Sequence, residues 1–156
     1  MQQAIFGAGC FWGVQVAFQH LDGIIQTTVG YMGGTLKNPT YEEVCTGNTG
    51  HAEVVYVVYD ETKISYEKLL DIFWNIHDPT QHNRQGPDKG TQYRSVIFYH
   101  NEQQRKAAIS SKEKLVSQKI YDKPIVTQIV KALTFHPAEE YHQDYLKKHG
   151  VSACPI

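Results

Sequence analysis

The chain has 156 residues, a formal net charge of −1, 41% hydrophobic residues and three cysteines. This length suits one domain with one hydrophobic core, so we expect a single domain over residues 1–156. The near balance of charges gives no support for nucleic acid or a membrane surface as a partner.

Neither a membrane span nor a secretion signal is visible in the sequence. No apolar run approaches the ~20 residues that a membrane span needs, and no basic segment followed by a long apolar one opens the chain. Cys10, Cys45 and Cys154 are odd in number and far apart, unlike the dense disulfide framework of a secreted mini-domain. The sequence therefore predicts an intracellular, cytoplasmic protein with one or two working thiols.

The first predicted elements are a strand, a tight turn and a helix. Residues 4–6 form a short apolar run, and the apolar residues at positions 14, 17, 18 and 21 fit one helical face. Cys10 lies at the turn between them. Because unpaired N–H groups and the helix dipole favour an anion there, a thiol in this place tends to lose its proton. The glycines at positions 7, 9 and 13 are expected to let a substrate approach the sulfur closely.

The next part of the chain combines strong strand signals with a long irregular segment. The patterns predict strands over residues 24–31 and 52–59, one helical turn over 41–45, and an amphipathic helix over 65–76. An irregular segment as long as 32–53 is usually functional or disordered in a compact domain. Tyr41, His51 and Glu53 favour function.

The second half of the chain predicts alternating elements after a polar loop. We expect a loop over 80–92, a strand over 93–99, a helix from Asn101 to about Ser117, a strand over 125–131, a last helix from Pro137 to Gly150, and a loose tail over 151–156. This order predicts an α+β fold with a mainly antiparallel sheet and helices on its outer faces. A split βαβ arrangement is the expected core.

Four sequence blocks resemble the A-type peptide methionine sulfoxide reductases. The blocks are GCFWG around Cys10, NPTYEEVC ending at Cys45, TGHAEVV around Glu53, and a split block in which HDPT, NRQG and DKGTQYRS lie between His77 and Ser95. They span residues 7–95 in the family's order, and the remainder of the chain is similar in element order. Four blocks in register are not expected by chance.

This resemblance implies a fold and a reaction. The fold is an α+β two-layer sandwich on a ferredoxin-like core, with long irregular loops and a loose C-terminal tail. The reaction is reduction of the S epimer of methionine sulfoxide, free or in proteins. Cys10 would be the nucleophile and Glu53 the acid that protonates the sulfoxide oxygen. Tyr41 and Tyr93 would donate hydrogen bonds to that oxygen.

The resemblance also assigns the remaining site residues and the partners. Asp88 would help to hold a water, and Phe11 and Trp12, which are able to wall a small apolar pocket, would hold the substrate's S-methyl group. Cys154, the only cysteine in the tail, would resolve the oxidised nucleophile as a disulfide. Cys45 matches a position that the family does not use in catalysis. Thioredoxin would be the reductant of a monomeric enzyme with no metal and no cofactor.

Two other function classes remain open at this point. A cysteine hydrolase needs a histidine beside the thiol, and His51, His77 and His82 are available, but no spacing marks one as the partner. A thiol-exchange or metal-binding module would use Cys10, Cys45 and histidines. No Cys-x-x-Cys or His-Glu-x-x-His spacing supports the metal site.

Overall fold

A six-stranded sheet carries the fold of residues 1–149, the part of the chain that the computed structural model describes. The strands are β1 (Gln2–Ala8), β2 (Ile24–Met32), β3 (Ala52–Tyr59), the short hairpin strands β4 (Arg84–Gln85) and β5 (Asp88–Lys89), β6 (Ser95–Tyr99), β7 (Gln128–Lys131) and β8 (His136–Pro137). The helices are α1 (Phe11–Gln19), α2 (Tyr41–Cys45), α3 (Tyr66–Asn75), α4 (Glu102–Ser117) and α5 (Tyr145–Lys148).

The sheet has the strand order β7-β6-β1-β3-β2-β8, with the β4–β5 hairpin outside it. Every neighbouring pair in the sheet is antiparallel except β6 and β7, which are parallel. The prediction of a mixed α+β fold with a mainly antiparallel sheet is therefore confirmed.

The three longest helices pack on one face of the sheet. Side chains alternate along β1, so Phe6 points into the main core between sheet and helices, whereas Ile5 belongs to a smaller cluster on the opposite face. The Phe6 ring stacks on Phe18 of α1 and on Phe73 of α3, with centroids 5.3 Å apart in both pairs. The prediction of helices on the outer faces of the sheet is correct for one face only, since no helical residue of the described chain joins the smaller cluster.

The helices begin where the sequence provides caps. Ser65 accepts the backbone N–H of Lys68 at the start of α3, and Asn101 accepts that of Gln104 at the start of α4. The predicted helix over 65–76 is thus observed with its first residue acting as the cap. Within residues 1–149, no helix combines the length and the apolar character needed to cross a membrane.

Two predicted strands are shorter than expected, and one predicted loop contains regular structure. Residues 91–93 form a 3₁₀ turn, so the strand predicted over 93–99 begins at Ser95. The strand predicted over 125–131 begins at Gln128, where its pairing with β6 begins. The polar loop over 80–92 folds back on itself as the β4–β5 hairpin.

The last helix is also much shorter than predicted. Instead of starting a helix, Pro137 lies in β8 and pairs with Gly30 of β2. The Gln143 side chain then accepts the backbone N–H of Val29 and donates to its carbonyl, both at 2.9 Å. These tertiary bonds keep the chain along the β2 edge, so helix α5 begins only at Tyr145. Gly150 and the predicted tail over 151–156 lie outside the described residues.

Candidate active site

Cys10 occupies the turn between β1 and α1. It is the residue immediately before the helix, with φ −56° and ψ 119°, and it is partly exposed. This is the strand-to-helix position that the sequence predicts. Backbone N–H groups of the first helical turn lack intrahelical acceptors there, so the position favours a thiolate over a thiol.

The glycine beside Cys10 is required by the packing of the protein. Gly9 has φ +95°, and a Cβ on it would lie 2.8 Å from the Cβ of Gln85. Gln85 itself is fixed, because its side chain accepts the backbone N–H of Asp78 at 2.9 Å and donates to the Asp78 carbonyl at 3.0 Å. Gly7 likewise leaves room for Val96. Gly7 and Gly9 are therefore required by packing, and the expectation that these glycines let a substrate approach the sulfur stays a prediction.

Glu53 lies near the start of β3 and is 1% exposed. One carboxyl oxygen, Oε1, accepts the backbone N–H of Phe11 at 3.2 Å, and Oε2 has no hydrogen-bond partner among the described residues. Burial raises the pKa of Glu53 to about 8, repulsion from Asp88 adds to this rise, and the Phe11 N–H opposes it. At neutral pH Glu53 is therefore largely a carboxylic acid, next to the turn that carries Cys10.

Tyr41 and Tyr93 lie near Glu53 and come from two different parts of the chain. Tyr41 is the first residue of α2, and Tyr93 ends the 3₁₀ turn over 91–93. Burial is the largest cause that raises the pKa of each tyrosine. A hydrogen bond to the Cys45 side chain raises the pKa of Tyr41 further, and the nearby Glu53 raises the pKa of both. The charge of Cys10 also acts on Tyr93. Both hydroxyls therefore stay protonated and remain hydrogen-bond donors.

The two loops that carry these tyrosines are tied to each other. Thr91 Oγ1 donates to the Gly47 carbonyl at 3.4 Å, and Gln92 Nε2 donates to the Cys45 carbonyl at 3.5 Å. Cys45 is the last residue of α2. The residue is largely exposed, but partial burial of its thiol raises the pKa. Cys45 thus lies close to the candidate site, although its raised pKa disfavours the thiolate.

Asp88 lies in β5 of the hairpin and is partly buried. Its charge is close enough to Glu53 to raise the pKa of that carboxyl. The structure therefore brings Asp88 to the group formed by Cys10, Glu53, Tyr41 and Tyr93. Cys154, the sixth predicted catalytic residue, lies outside the described residues.

Phe11 and Trp12 form an aromatic wall with residues that the sequence analysis did not single out. The Trp12 indole stacks on Tyr145 at 3.8 Å between centroids, and its Nε1 donates to Nδ1 of His142 at 3.0 Å. The His142 ring also lies 4.4 Å from the ring of Tyr41. The sequence predicts a helix over residues 139–145, and this prediction does not indicate that His142 and Tyr145 belong to the aromatic wall. The high density of Tyr and His in this segment is the sequence feature that points to them.

The candidate histidines have other partners. His51 accepts the Gly34 N–H on Nδ1 at 3.1 Å, and its Nε2 lies 2.7 Å from the Leu36 carbonyl oxygen. Both ring nitrogens of His77 are similarly occupied, by the Phe73 carbonyl and the Ser95 hydroxyl. These rings are not positioned as a base for Cys10. In the described part of the chain, no group of three His, Cys, Asp or Glu side chains is arranged to hold a metal ion.

Comparison with known proteins gives the same family from a family model and from individual relatives. A family model described as peptide methionine sulfoxide reductase matches residues 2–156. The chain is 60% identical over 153 residues to the peptide methionine sulfoxide reductase MsrA of Methanothermobacter thermautotrophicus, covering 98% of this chain and 90% of that protein.

Solved structures of methionine sulfoxide reductases are also similar to this fold. The reduced form of Mxr1 from Saccharomyces cerevisiae superimposes with a TM-score of 0.89 at 39% identity, covering 96% of this chain and 86% of that one. Mxr1 in complex with Trx2 gives a TM-score of 0.66 at 27% identity, covering 99% and 86%.

The buried acid predicts an unusual dependence of stability on pH. Between an ordinary pKa of 4.5 and about 8, folded Glu53 holds a proton that the unfolded chain has released. The contribution of Glu53 to stability is therefore fully present below the lower value and is lost as pH rises through this range, by about 5 kcal/mol in total. Glu53→Gln removes this loss, so urea unfolding at pH 5, 7 and 9 should show a flatter profile than the unmodified protein. Glu67→Gln, at an exposed position on α3, is the control and should follow the unmodified protein. Parallel profiles for Glu53→Gln and the unmodified protein would contradict the protonated state.

Proposed function

Because the chain belongs to the peptide methionine sulfoxide reductase family and is an oxidoreductase of that family, we propose that it reduces the S epimer of methionine sulfoxide, free or in proteins, to methionine. The observation that carries this proposal is the state of Glu53. It is a buried acid beside the Cys10 turn, and one of its carboxyl oxygens has no partner in the described chain. Such a group is suited to give a proton to a bound oxygen atom.

The first step needs an acid because a sulfoxide oxygen is a poor leaving group unless it is protonated. Glu53 supplies the proton, since burial keeps it in the acid form near neutral pH. Tyr41 and Tyr93 donate hydrogen bonds to the same oxygen and stabilise the negative charge that develops on it during the attack. Asp88 helps to hold a water in the site.

The Cys10 thiolate attacks the sulfur of the sulfoxide. As the new bond between the two sulfurs breaks, the protonated oxygen passes from the substrate sulfur to the Cys10 sulfur. Methionine leaves, Cys10 becomes a sulfenic acid, and Glu53 is left as a carboxylate. The sulfoxide sulfur is reduced by two electrons while the cysteine sulfur is oxidised by two, so the chemistry requires no cofactor. The position of Cys10 before α1 favours the thiolate that this attack requires.

Cys154 then condenses with the sulfenic acid, forming a disulfide and releasing water. An external dithiol reduces the disulfide by thiol exchange. The complex of yeast Mxr1 with Trx2 supports thioredoxin as that reductant. The proposed recycling takes one disulfide step, between Cys10 and Cys154.

Phe11 and Trp12 hold the substrate's S-methyl group. Trp12 is supported for this role on two sides, by the stacked ring of Tyr145 and by the hydrogen bond to His142. The apolar wall lies on one side of the pocket, and the acid with the two hydroxyls lies on another. Only one configuration at the sulfur places the S-methyl group against the wall and the oxygen against the acid at the same time. This arrangement favours discrimination between the epimers.

The finer description of the fold belongs to this proposal as well. The four central strands have the order β6-β1-β3-β2, with α1 and α3 connecting strands across one face, which supports a ferredoxin-like, split βαβ core. The family model matches residues 2–156, which supports one domain. A monomeric state and a cytoplasmic location stay predictions.

A stereospecific assay tests the proposed reaction directly. The two sulfur epimers of a blocked methionine sulfoxide are supplied separately with dithiothreitol, and methionine formation is measured. The S epimer should be reduced and the R epimer left unchanged. Comparable turnover of both epimers would contradict the proposed pocket.

The role of Glu53 is tested by single-turnover kinetics. Glu53→Gln should lower the rate of methionine release by about 10²–10⁴-fold at neutral pH, because general acid catalysis has this typical scale. Binding of the sulfoxide should change much less. In the unmodified enzyme the acid form is lost as pH rises through about 8, so the rate should decline there. Glu67→Gln is again the matched control, and an unchanged rate in Glu53→Gln would reject the assignment.

Cys154 is tested by separating the first turnover from the steady state. In Cys154→Ser the first methionine should be released at the normal rate, since attack by Cys10 does not involve the tail thiol. Steady-state turnover with thioredoxin should collapse, and dithiothreitol should restore part of it. Cys45→Ser removes a different thiol and should keep thioredoxin-dependent turnover. Full thioredoxin-dependent turnover by Cys154→Ser would show that another group resolves the sulfenic acid.

A further inference from the structure

The position of Tyr41 depends on more than its own helix, although its hydroxyl is hydrogen-bonded to Cys45 at the end of that helix. Helix α2 has five residues, and a helix this short is not stable without tertiary support. Its capping box satisfies two backbone N–H groups, because Thr40 Oγ1 accepts that of Glu43 and Glu43 Oε1 accepts that of Thr40. The N–H of Tyr41 lies between them and has no acceptor within the helix.

Glu139 provides that acceptor from a distant part of the chain. Its Oε2 accepts the backbone N–H of Tyr41 at 3.1 Å. Its Oε1 accepts the hydroxyl hydrogen of Tyr31, also at 3.1 Å. One carboxylate therefore connects the first residue of α2 to a residue of the central sheet.

Tyr31 is a fixed anchor for this connection. It is fully buried in β2, directly opposite Glu53 in the strand register, and its ring lies 5.7 Å from that of Phe11. Its position is thus set by the same core that holds the acid and the aromatic wall. Glu139 therefore fixes the Tyr41 backbone relative to β2, the strand that pairs with β3 and so lies beside Glu53.

The charge on Glu139 strengthens both bonds. Burial opposes its ionisation, but hydrogen bonds from its own N–H, from Tyr41 and from Tyr31 outweigh burial and lower the pKa of Glu139. The carboxylate therefore stays ionised at neutral pH, and hydrogen bonds to an ionised acceptor are roughly twice as strong as neutral ones. Glu53, with its raised pKa, and Glu139 thus have opposite protonation states.

We propose that Glu139 is a positioning residue for Tyr41: by joining the Tyr41 backbone to Tyr31, it holds the Tyr41 hydroxyl where it meets the sulfoxide oxygen. This inference rests on the proposed role of Tyr41 in oxygen binding. Glu139 itself does not touch the substrate. Its contribution to catalysis therefore depends on the presence of the Tyr41 hydroxyl.

A double-mutant cycle on the single-turnover rate tests this dependence. Tyr41→Phe should slow methionine release by about tenfold or more, the scale of a lost donor that Tyr93 partly replaces. Glu139→Ala should cause a similar loss. Because both changes remove the same interaction, the double variant should be slower than Tyr41→Phe alone by no more than about twofold.

Two further variants separate positioning from a general effect on stability. Glu139→Gln keeps an oxygen for the Tyr41 N–H and should recover most of the rate. Gln143→Ala removes bonds that attach the same segment to Val29; it should lower the melting temperature but leave the rate per folded enzyme near normal. If Glu139→Ala does not fold, Glu139→Asp takes its place in the cycle, because the shorter side chain cannot reach both partners.

The outcomes distinguish this inference from the proposed function. Independent, multiplying losses from Tyr41→Phe and Glu139→Ala would overturn the positioning role while leaving Tyr41 as an oxygen-binding residue. A full rate in Glu139→Ala would also overturn the positioning role. A full rate in Tyr41→Phe would overturn the oxygen-binding role of Tyr41, and the positioning role would fall with it.

Discussion

The hydrogen bond from the Phe11 N–H to Glu53 is the contact around which the site is organised. It joins the first turn of α1, and hence Cys10, to the start of β3. Burial removes water from the carboxyl and raises its pKa, whereas this one N–H keeps a partial preference for the charged form. The balance gives an acid that titrates near neutral pH, which is the range in which proton donation is most efficient. A fully satisfied Glu53 would be a permanent carboxylate and a poor proton donor.

The sheet makes this contact possible because four strand ends meet at one edge. Ala8 at the end of β1 pairs with Ser95 at the start of β6, and Tyr31 near the end of β2 pairs with Glu53 near the start of β3. Antiparallel pairing alternates strand directions, so the loops before and after these strands emerge together. The irregular segments that carry the two tyrosines and the β4–β5 hairpin are held over this edge by side-chain bonds to backbone groups. Polar side chains such as Gln85 and Gln92 therefore act as structural connectors in a region with little regular structure.

Two carboxyl groups near this edge have opposite protonation states. Glu53 has few compensating bonds and becomes neutral, whereas Glu139 receives several N–H and O–H donors and stays charged. Environments that give two carboxyl groups very different pKa values are typical of sites that need an acid and a fixed anion at the same pH. One carboxyl oxygen of Glu53 has no partner among residues 1–149, which costs stability, and the dense aromatic core around Phe6 is a source of compensation.

The sequence by itself determined the family, the order of the main elements and the place of Cys10 before a helix. These features depend on short-range patterns: alternation in β3, a capped amphipathic α3, and signature blocks whose residues are adjacent in the chain. Only the tertiary structure decided that all three long helices share one face. It also decided that residues 138–144 run beside β2 with a single 3₁₀ turn over Glu140–His142 instead of a continuous α-helix. The reason is physical, because Gln143, Glu139 and His142 make their bonds to residues about a hundred or more positions away. Such contacts override local helix propensity, and no local pattern in the chain encodes them.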